Sequence, residues 1–324
     1  MMKILVTGGA GFIGSNFIHY QLENYDDQII NVDKLSYAGN LENLKDVEAD
    51  PNYEFLQLDI CNKEKIDQIM HRGIDYIVNF AAESHVDRSI EDPSIFVKTN
   101  IEGTQNLLDL SLKFGVKKFL QISTDEVYGS LGKNGKFSEE SDLNPSNPYA
   151  ASKASADLLV KSYFKTYNLP INITRCSNNF GPYQYPEKLI PLFIINALHN
   201  EKLPVYGDGS NIRDWIYVKD HCKAVDLVMR NGEVGEIYNV GADNEKTNLE
   251  ITGQILSLLS KTELLIKHVK DRKGHDYRYA VESSKIKKQL GWKSEFDFEN
   301  AMIKTLNWYL DHKKWWQKII NDED

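Results

Sequence analysis

Lys3-Ile4-Leu5-Val6-Thr7-Gly8-Gly9-Ala10-Gly11-Phe12-Ile13-Gly14 opens the chain, and an amphipathic pattern follows from Ser15 to Leu22. A short apolar run stopped by glycines and then a helical spacing reads as strand, tight turn and helix. The cluster satisfies G-x-G-x-x-G from Gly9 and G-x-x-G-x-x-G from Gly8. In that setting glycines let the backbone turn sharply and bring its N–H groups against a pyrophosphate at the positive end of the helix. Asp33 ends the next apolar run, about 20 residues past Gly14, where a carboxylate accepts hydrogen bonds from an adenosine ribose and repels a 2′-phosphate. The motif predicts a dinucleotide site that favours NAD over NADP, with Lys34 beside Asp33 tempering the preference.

Further short apolar runs occupy 29–33, 53–58, 76–80, 119–123 and 171–175, each separated from the next by a stretch with helical spacing. Alternation of this kind builds parallel βαβ units, and runs apolar at nearly every position imply strands covered on both faces. The expected fold is α/β, a Rossmann-like doubly wound parallel sheet with a smaller, discontinuous C-terminal substrate-binding domain. After Asn178 the rhythm changes, with Pro182, Pro186, Pro191 and Pro204 punctuating the chain. Residues 1–178 are therefore expected to form the NAD-binding domain and 179–324 the substrate domain. The stretch 212–242 is expected to return to the first domain through a helix near 218–229 and a strand near 236–240. Trp308, Trp315 and Trp316 are expected to pack helices.

The 324 residues are 41% hydrophobic and 26% charged, an ordinary globular composition. With 38 basic against 47 acidic residues the net charge is -9, which argues against general attraction to nucleic acid or anionic lipid. Cys61, Cys176 and Cys222 show no C-x-x-C spacing, no signal-peptide pattern opens the chain, and no apolar stretch approaches the ~18 residues of a membrane span. A cytoplasmic protein is expected. The histidines are scattered, and no metal site is expected.

Tyr149-Ala150-Ala151-Ser152-Lys153 places a phenol and an ammonium on one helical face. Alone, Y-x-x-x-K is common on solvated helices. Downstream of a dinucleotide fingerprint it reads as a base, because the cation and an oxidised nicotinamide would lower the phenol pKa. Ser123 and Thr124, ending the preceding strand, offer hydroxyls to a reacting alcohol. Thr124-Asp125-Glu126 places two carboxylates just past the end of a central strand, where open parallel sheets bind ligands. Dehydrogenation needs neither, whereas eliminating water needs both a base and an acid, one carboxyl ionised and the other neutral. Arg213 and Arg272 are candidates for a substrate diphosphate, since guanidinium forks match phosphate oxygens.

Together these motifs resemble the extended short-chain dehydrogenase/reductase superfamily, and within it the dTDP-glucose 4,6-dehydratases, from Lys3 to about Gln317. The most specific segments are 32–40, 81–89, 123–129 and 208–215. The resemblance implies NAD held by Gly8, Gly11, Phe12, Ile13, Gly14, Asp33 and Lys34, with Asp59, Ile60, Ala81, Ser84 and Thr99 lining the cofactor alongside Tyr149 and Lys153. It implies a nucleotide-sugar site, for dTDP-glucose, built from Ser84, Thr124, Asn179, Lys188, Leu189 and Pro204. Tyr206, Arg213, Asn248, Arg272 and His275 complete that site. It also implies the roles: Tyr149 takes the carbon 4 hydroxyl proton, Glu126 the carbon 5 proton, and Asp125 protonates the hydroxyl leaving carbon 6. The product would be dTDP-4-keto-6-deoxyglucose, a precursor of rhamnose and other deoxysugars. A homodimer joined through helices near 93–114 and 148–167 is implied as well. A nucleotide-sugar 4-epimerase is the main rival, and Asp125-Glu126 is the feature that argues against it.

Overall fold

The computed structural model describes residues 1–323. Strands β1 (Lys3–Thr7), β2 (Gln28–Asp33), β3 (Tyr53–Gln57), β4 (Tyr76–Asn79), β5 (Lys118–Thr124) and β6 (Ile171–Cys176) pair in parallel. Three short strands follow, β7 (Asn178–Phe180), β8 (Leu203–Tyr206) and β9 (Ile212–Tyr217), and then β10 (Ile237–Val240), β11 (Glu245–Thr247) and β12 (Ile266–Val269). The large sheet has seven strands in the order β10-β6-β5-β4-β1-β2-β3. The chain winds outward from β1 in one direction and then, from β4, in the other. That reversal between β1 and β4 leaves a crevice outside their carboxyl ends.

The near-continuous apolar runs are explained by burial on both faces. Ile4 and Val6 of β1 pack with Phe17, Ile18, Val225 and Val228 on one side, while Leu5 packs with Ile66, Leu107 and Leu108 on the other. Every residue of β5 is buried. A third core, around Phe180, Phe193, Trp215, Ile255, Met302 and Tyr309, joins the C-terminal helices to a small sheet of order β11-β9-β7. The tryptophans pack as expected: Trp316 Nε1 donates to Tyr309 O at 2.9 Å, Trp308 meets the Tyr183 ring, and Trp315 Nε1 reaches Asn43 Oδ1 at 2.8 Å.

Within 212–242, the helix Val218–Asn231 packs on the helix Phe12–Asn24, and β10 extends the large sheet beyond β6. Ile212–Tyr217 does otherwise. It pairs with β7 and β11, because β7 leaves the large sheet one residue after β6 and offers β9 a parallel edge.

The helical stretch near 93–114 is also less regular than the sequence implies. Ser94–Phe96 runs into a π-helical turn, Val97–Gly103, before the α-helix Thr104–Phe114. Gly103 lets Ile60 pack closely against the turn: a Cβ would stand 2.5 Å from Ile60 Cδ1, and the Ile60 side chain would have to move. The wider turn accompanies an inward Asn100, which clamps the backbone of Glu83 through Glu83 N–H to Oδ1 at 2.8 Å and Nδ2 to Glu83 O at 3.0 Å. The helix Pro148–Tyr167 is regular. Asn147 caps it by accepting from Ala150 N at 2.9 Å, and Pro148 fills the first turn.

Candidate active site

The crevice at the switch point is lined by Gly8, Gly11, Phe12, Ile13, Gly14, Asp33 and Lys34 from the first βαβ unit. Asp59, Ile60, Ala81, Ser84 and Thr99 continue the wall, and Thr124, Asp125, Glu126, Tyr149, Lys153, Asn179 and Lys188 complete it. The glycine loop is shaped for close approach. Gly8 has φ +71, and a Cβ on it would lie 2.5 Å from Ala81 N; one on Gly14 would lie 2.3 Å from Gly8 O. No side chain caps the helix Phe12–Asn24, so its first-turn N–H groups are left to an anion. Asp33 Oδ2 accepts from Ala10 N at 3.0 Å and Oδ1 from Leu35 N at 2.8 Å, which anchors the loop while burial pushes the carboxyl above its ordinary pKa. A pyrophosphate cradle with a carboxylate at the ribose end fits a dinucleotide.

Helical spacing puts Tyr149 and Lys153 side by side beneath the crevice. Lys153 Nζ donates to Ile122 O at 2.6 Å, which fixes the side chain against β5, and burial lowers its pKa while Asp157 opposes the shift. The surroundings of Tyr149 in the protein alone act on the phenol from the other side. Its phenol is held well above the ordinary value by burial and then by the Glu126 charge, with the Thr124 hydroxyl acting weakly in the other direction.

Asp125 and Glu126 sit in opposed surroundings. The Asp125 side chain is buried, Oδ2 has no protein partner, and burial together with the Glu126 and Asp214 carboxylates raises its pKa well above the usual range. Burial raises Glu126 too, but Arg213 and Lys188 oppose the shift and the Asn147 side chain hydrogen-bonds its carboxylate. Both carboxyls are raised, Asp125 the more strongly because the cations that oppose the shift at Glu126 are weaker against it there. Of the two, Asp125 is therefore the one to hold a proton and Glu126 the one to give its proton up first, the ordering that elimination requires.

The remaining sequence-selected residues form a second group adjoining the crevice rather than lining it. Arg213 is 8% exposed, donates through Nη2 to Asp276 O at 3.0 Å and lies 4.3 Å over the Tyr279 ring. Arg272 pairs with Asp87, Nη2 donating to Oδ2 at 2.7 Å, and stands 5.2 Å over Tyr206. His275 Nδ1 lies 2.6 Å from Asp271 Oδ1, and its ring is 6.2 Å from that of Tyr206. Pro204 shares β8 with Tyr206, Leu189 begins the helix Leu189–Leu198, and Asn248 begins the helix Asn248–Leu258. Sequence reasoning missed Asn147, Asp214 and Cys176. Asn147 had a local signal, an Asn-Pro pair before a helical run; Asp214 and Cys176 reach the site only through the tertiary fold. Among the described residues no group of His, Cys, Asp or Glu side chains could hold a metal ion, and no helix is long and apolar enough to cross a membrane.

The family profile described as GDP-mannose 4,6 dehydratase matches residues 5–305. The low-salt glycan biosynthesis protein Agl12 of Haloferax volcanii is 53% identical over 95% of this chain and 99% of its own length. The dTDP-glucose 4,6-dehydratase of Neisseria meningitidis serogroup B is 49% identical over 99% and 97% of the two chains. Among solved structures, DesIV, the dTDP-glucose 4,6-dehydratase of Streptomyces venezuelae with NAD and dTDP bound, superposes with a TM-score of 0.96 at 47% identity, covering 98% of this chain and all of its own. Likeness of this extent, along the whole of both chains, means that the chain belongs to the dTDP-glucose 4,6-dehydratase family of extended short-chain dehydrogenases/reductases.

Proposed function

We propose that the chain dehydrates dTDP-glucose to dTDP-4-keto-6-deoxyglucose, a step toward rhamnose-type deoxysugars, with NAD as its resident cofactor. When bound, NAD supplies a temporary store for the hydrogen that leaves carbon 4 and is returned to carbon 6. Tyr149 takes the proton of the carbon 4 hydroxyl, and Lys153 supports the phenolate that results. The ketone formed at carbon 4 acidifies carbon 5. Glu126 removes the carbon 5 proton and Asp125 gives its own proton to the hydroxyl leaving carbon 6, so one water departs; as the stored hydride returns to carbon 6, protonated Glu126 gives a proton back to carbon 5. Thr124 and Ser84 orient the sugar. Asn179, Lys188, Leu189, Pro204, Tyr206, Arg213, Asn248, Arg272 and His275 hold the nucleotide diphosphate and base.

The observation that carries this reading is the opposition between Asp125, buried beside two carboxylates, and Glu126, facing Arg213 and Lys188. A 4-epimerase has no step that uses a neutral acid beside a basic carboxylate. The test is incubation with dTDP-glucose and, separately, UDP-glucose, following 4-keto product. Product from dTDP-glucose is expected; a 4-epimer with no 4-keto sugar would sink the reading.

Residues 1–178 and most of 212–242 serve the cofactor in this proposal, and the rest of 179–324 serves the nucleotide sugar. The enzyme works in the cytoplasm as a homodimer, supported by three free cysteines and by Leu112, Leu158 and Tyr167 exposed on the two long helices. A monomer mass in sedimentation equilibrium would remove the dimer. Asp33→Ala is expected to weaken NAD retention by about tenfold or more and narrow the preference over NADP, since it removes the ribose acceptor and frees Ala10 N. Calorimetry on stripped protein reads both; unchanged NAD affinity would refute the role of Asp33.

A further inference from the structure

Lys34 follows Asp33 directly and lines the same end of the crevice. A basic side chain in that neighbourhood is the usual means of accommodating a 2′-phosphate, so its presence beside an NAD-selecting carboxylate calls for an explanation. The explanation lies in the segment after β4. Lys34 Nζ stands 2.8 Å from Glu83 Oε1 and donates to Thr99 Oγ1 at 3.1 Å. Glu83 is 5% exposed, which shields the carboxylate side of the pair, while the Lys34 side chain is 24% exposed and keeps a path to the crevice. Its backbone is clamped on both sides by the Asn100 side chain, whose Nδ2 also donates to Ser152 Oγ at 2.8 Å, so the carboxylate is delivered from a rigid base. Pulling Lys34 away toward a phosphate would strand a buried anion, a change that is strongly unfavourable.

We infer that Glu83 is a specificity-determining residue for the cofactor: by holding Lys34 in an ion pair on a buried carboxylate it keeps that basic side chain from serving a 2′-phosphate. Discrimination against NADP is then shared. Asp33 repels the phosphate directly, and Glu83 removes what would attract it. This rests on the NAD reading above and adds a residue that does not itself line the crevice.

The test is calorimetric titration of NAD and of NADP into stripped full-length protein carrying Glu83→Gln, Lys34→Ala or both. Glu83→Gln keeps the size of the side chain and is expected to tighten NADP by about tenfold, the scale of a charge-assisted hydrogen bond, with NAD affinity altered by less than about threefold. The gain should shrink as salt is raised. Glu83→Gln combined with Lys34→Ala should return NADP affinity to the wild-type value. No gain in Glu83→Gln would overturn the inference. So would a gain that persists in the double variant, which would make it a general charge effect, or loss of both nucleotides from Glu83→Gln, which would make Glu83 a structural support. A wild-type protein that binds no NAD would instead fail the cofactor reading and is recognised by the same titration.

Discussion

Tyr149→Phe is expected to fold, bind NAD and nucleotide sugar, and lose turnover by about 10²–10⁴-fold, the range for a positioned proton-transfer group. The variant removes one oxygen from a side chain that packs edge-on against Phe96, so the helix Pro148–Tyr167 and its cap stay in place. The loss should fall on the first step. Stopped-flow absorbance at the NADH band, which reads oxidation of carbon 4 before any water is lost, is expected to show no early signal. Lys153→Ala should be impaired in the same step, through loss of the charge near the phenol. Wild-type formation of 4-keto sugar by Tyr149→Phe would end the assignment of Tyr149 as base. The position of the phenol pKa adds a second expectation: burial and the Glu126 charge hold it high in the protein alone, so Glu126→Gln should lower it.

Asp125→Asn and Glu126→Gln are expected to leave the first oxidation intact and stop the reaction at different places. Both should accumulate reduced cofactor, since Tyr149 and Lys153 are untouched. Asp125→Asn should still exchange the carbon 5 hydrogen with deuterated solvent, because Glu126 remains, but lose water about 10²–10⁴-fold more slowly. Glu126→Gln should neither exchange nor eliminate. Product deuterium and NADH absorbance from one single-turnover experiment separate the two. Wild-type elimination by either variant would remove the pair from the mechanism. The pH dependence follows from the same surroundings. Activity needs Glu126 ionised and Asp125 protonated, and both pKa values are raised, so the active range lies above the ordinary carboxylate range. It is lost toward acid as Glu126 protonates and toward alkali as Asp125 ionises. Stability runs in the same direction at Asp125. Asp125 has a folded pKa above its unfolded value, so whatever stability its proton supports is present at low pH and lost as pH rises. Asp125→Asn should therefore raise the melting temperature at pH 8 more than at pH 4, at the expense of activity.

The parts of this molecule that were legible in the sequence are those whose signal is local. The glycine cluster carries its turn in consecutive residues, the buried strands announce themselves as apolar runs, and Tyr149 and Lys153 are related by the helix repeat alone. Thr124-Asp125-Glu126 is contiguous. What escaped depends on closure of the chain. Asp214 and Arg213 sit on β9, six residues of which five are buried, and only the pairing of β9 with β7 brings their charges to Asp125 and Glu126. The π turn at Val97–Gly103 has no compositional mark, and what surrounds it, Ile60 against Gly103 and Glu83 against Asn100, comes from distant parts of the chain. Arg272 was read as a diphosphate ligand from its type, and its ion pair with Asp87, 185 residues earlier, was invisible. The burial and the Glu126 charge that raise the Tyr149 phenol in the protein alone are tertiary facts too, as is the orientation of Lys153 toward Ile122 O.

The packing of the helix Val218–Asn231 on the helix Phe12–Asn24 has a consequence for the order in which the newly made chain can fold. Gln21 waits for Asp226, 205 positions later, and Tyr25 and Asp27 wait for Asp226 and Arg230. At about 5–20 residues per second the ribosome delivers those partners roughly 10–40 s after the first helix emerges. Through that interval Phe17 and Ile18 lack Val225 and Val228, and the β6 edge lacks β10. A fragment ending at residue 178 is therefore expected to collect in the insoluble fraction when produced alone, and a soluble, cooperatively melting fragment would show that the late helix is dispensable. For the nascent chain, the first residues translated are among the last to be sheltered, and it is that open face, rather than the finished protein, that a chaperone would meet.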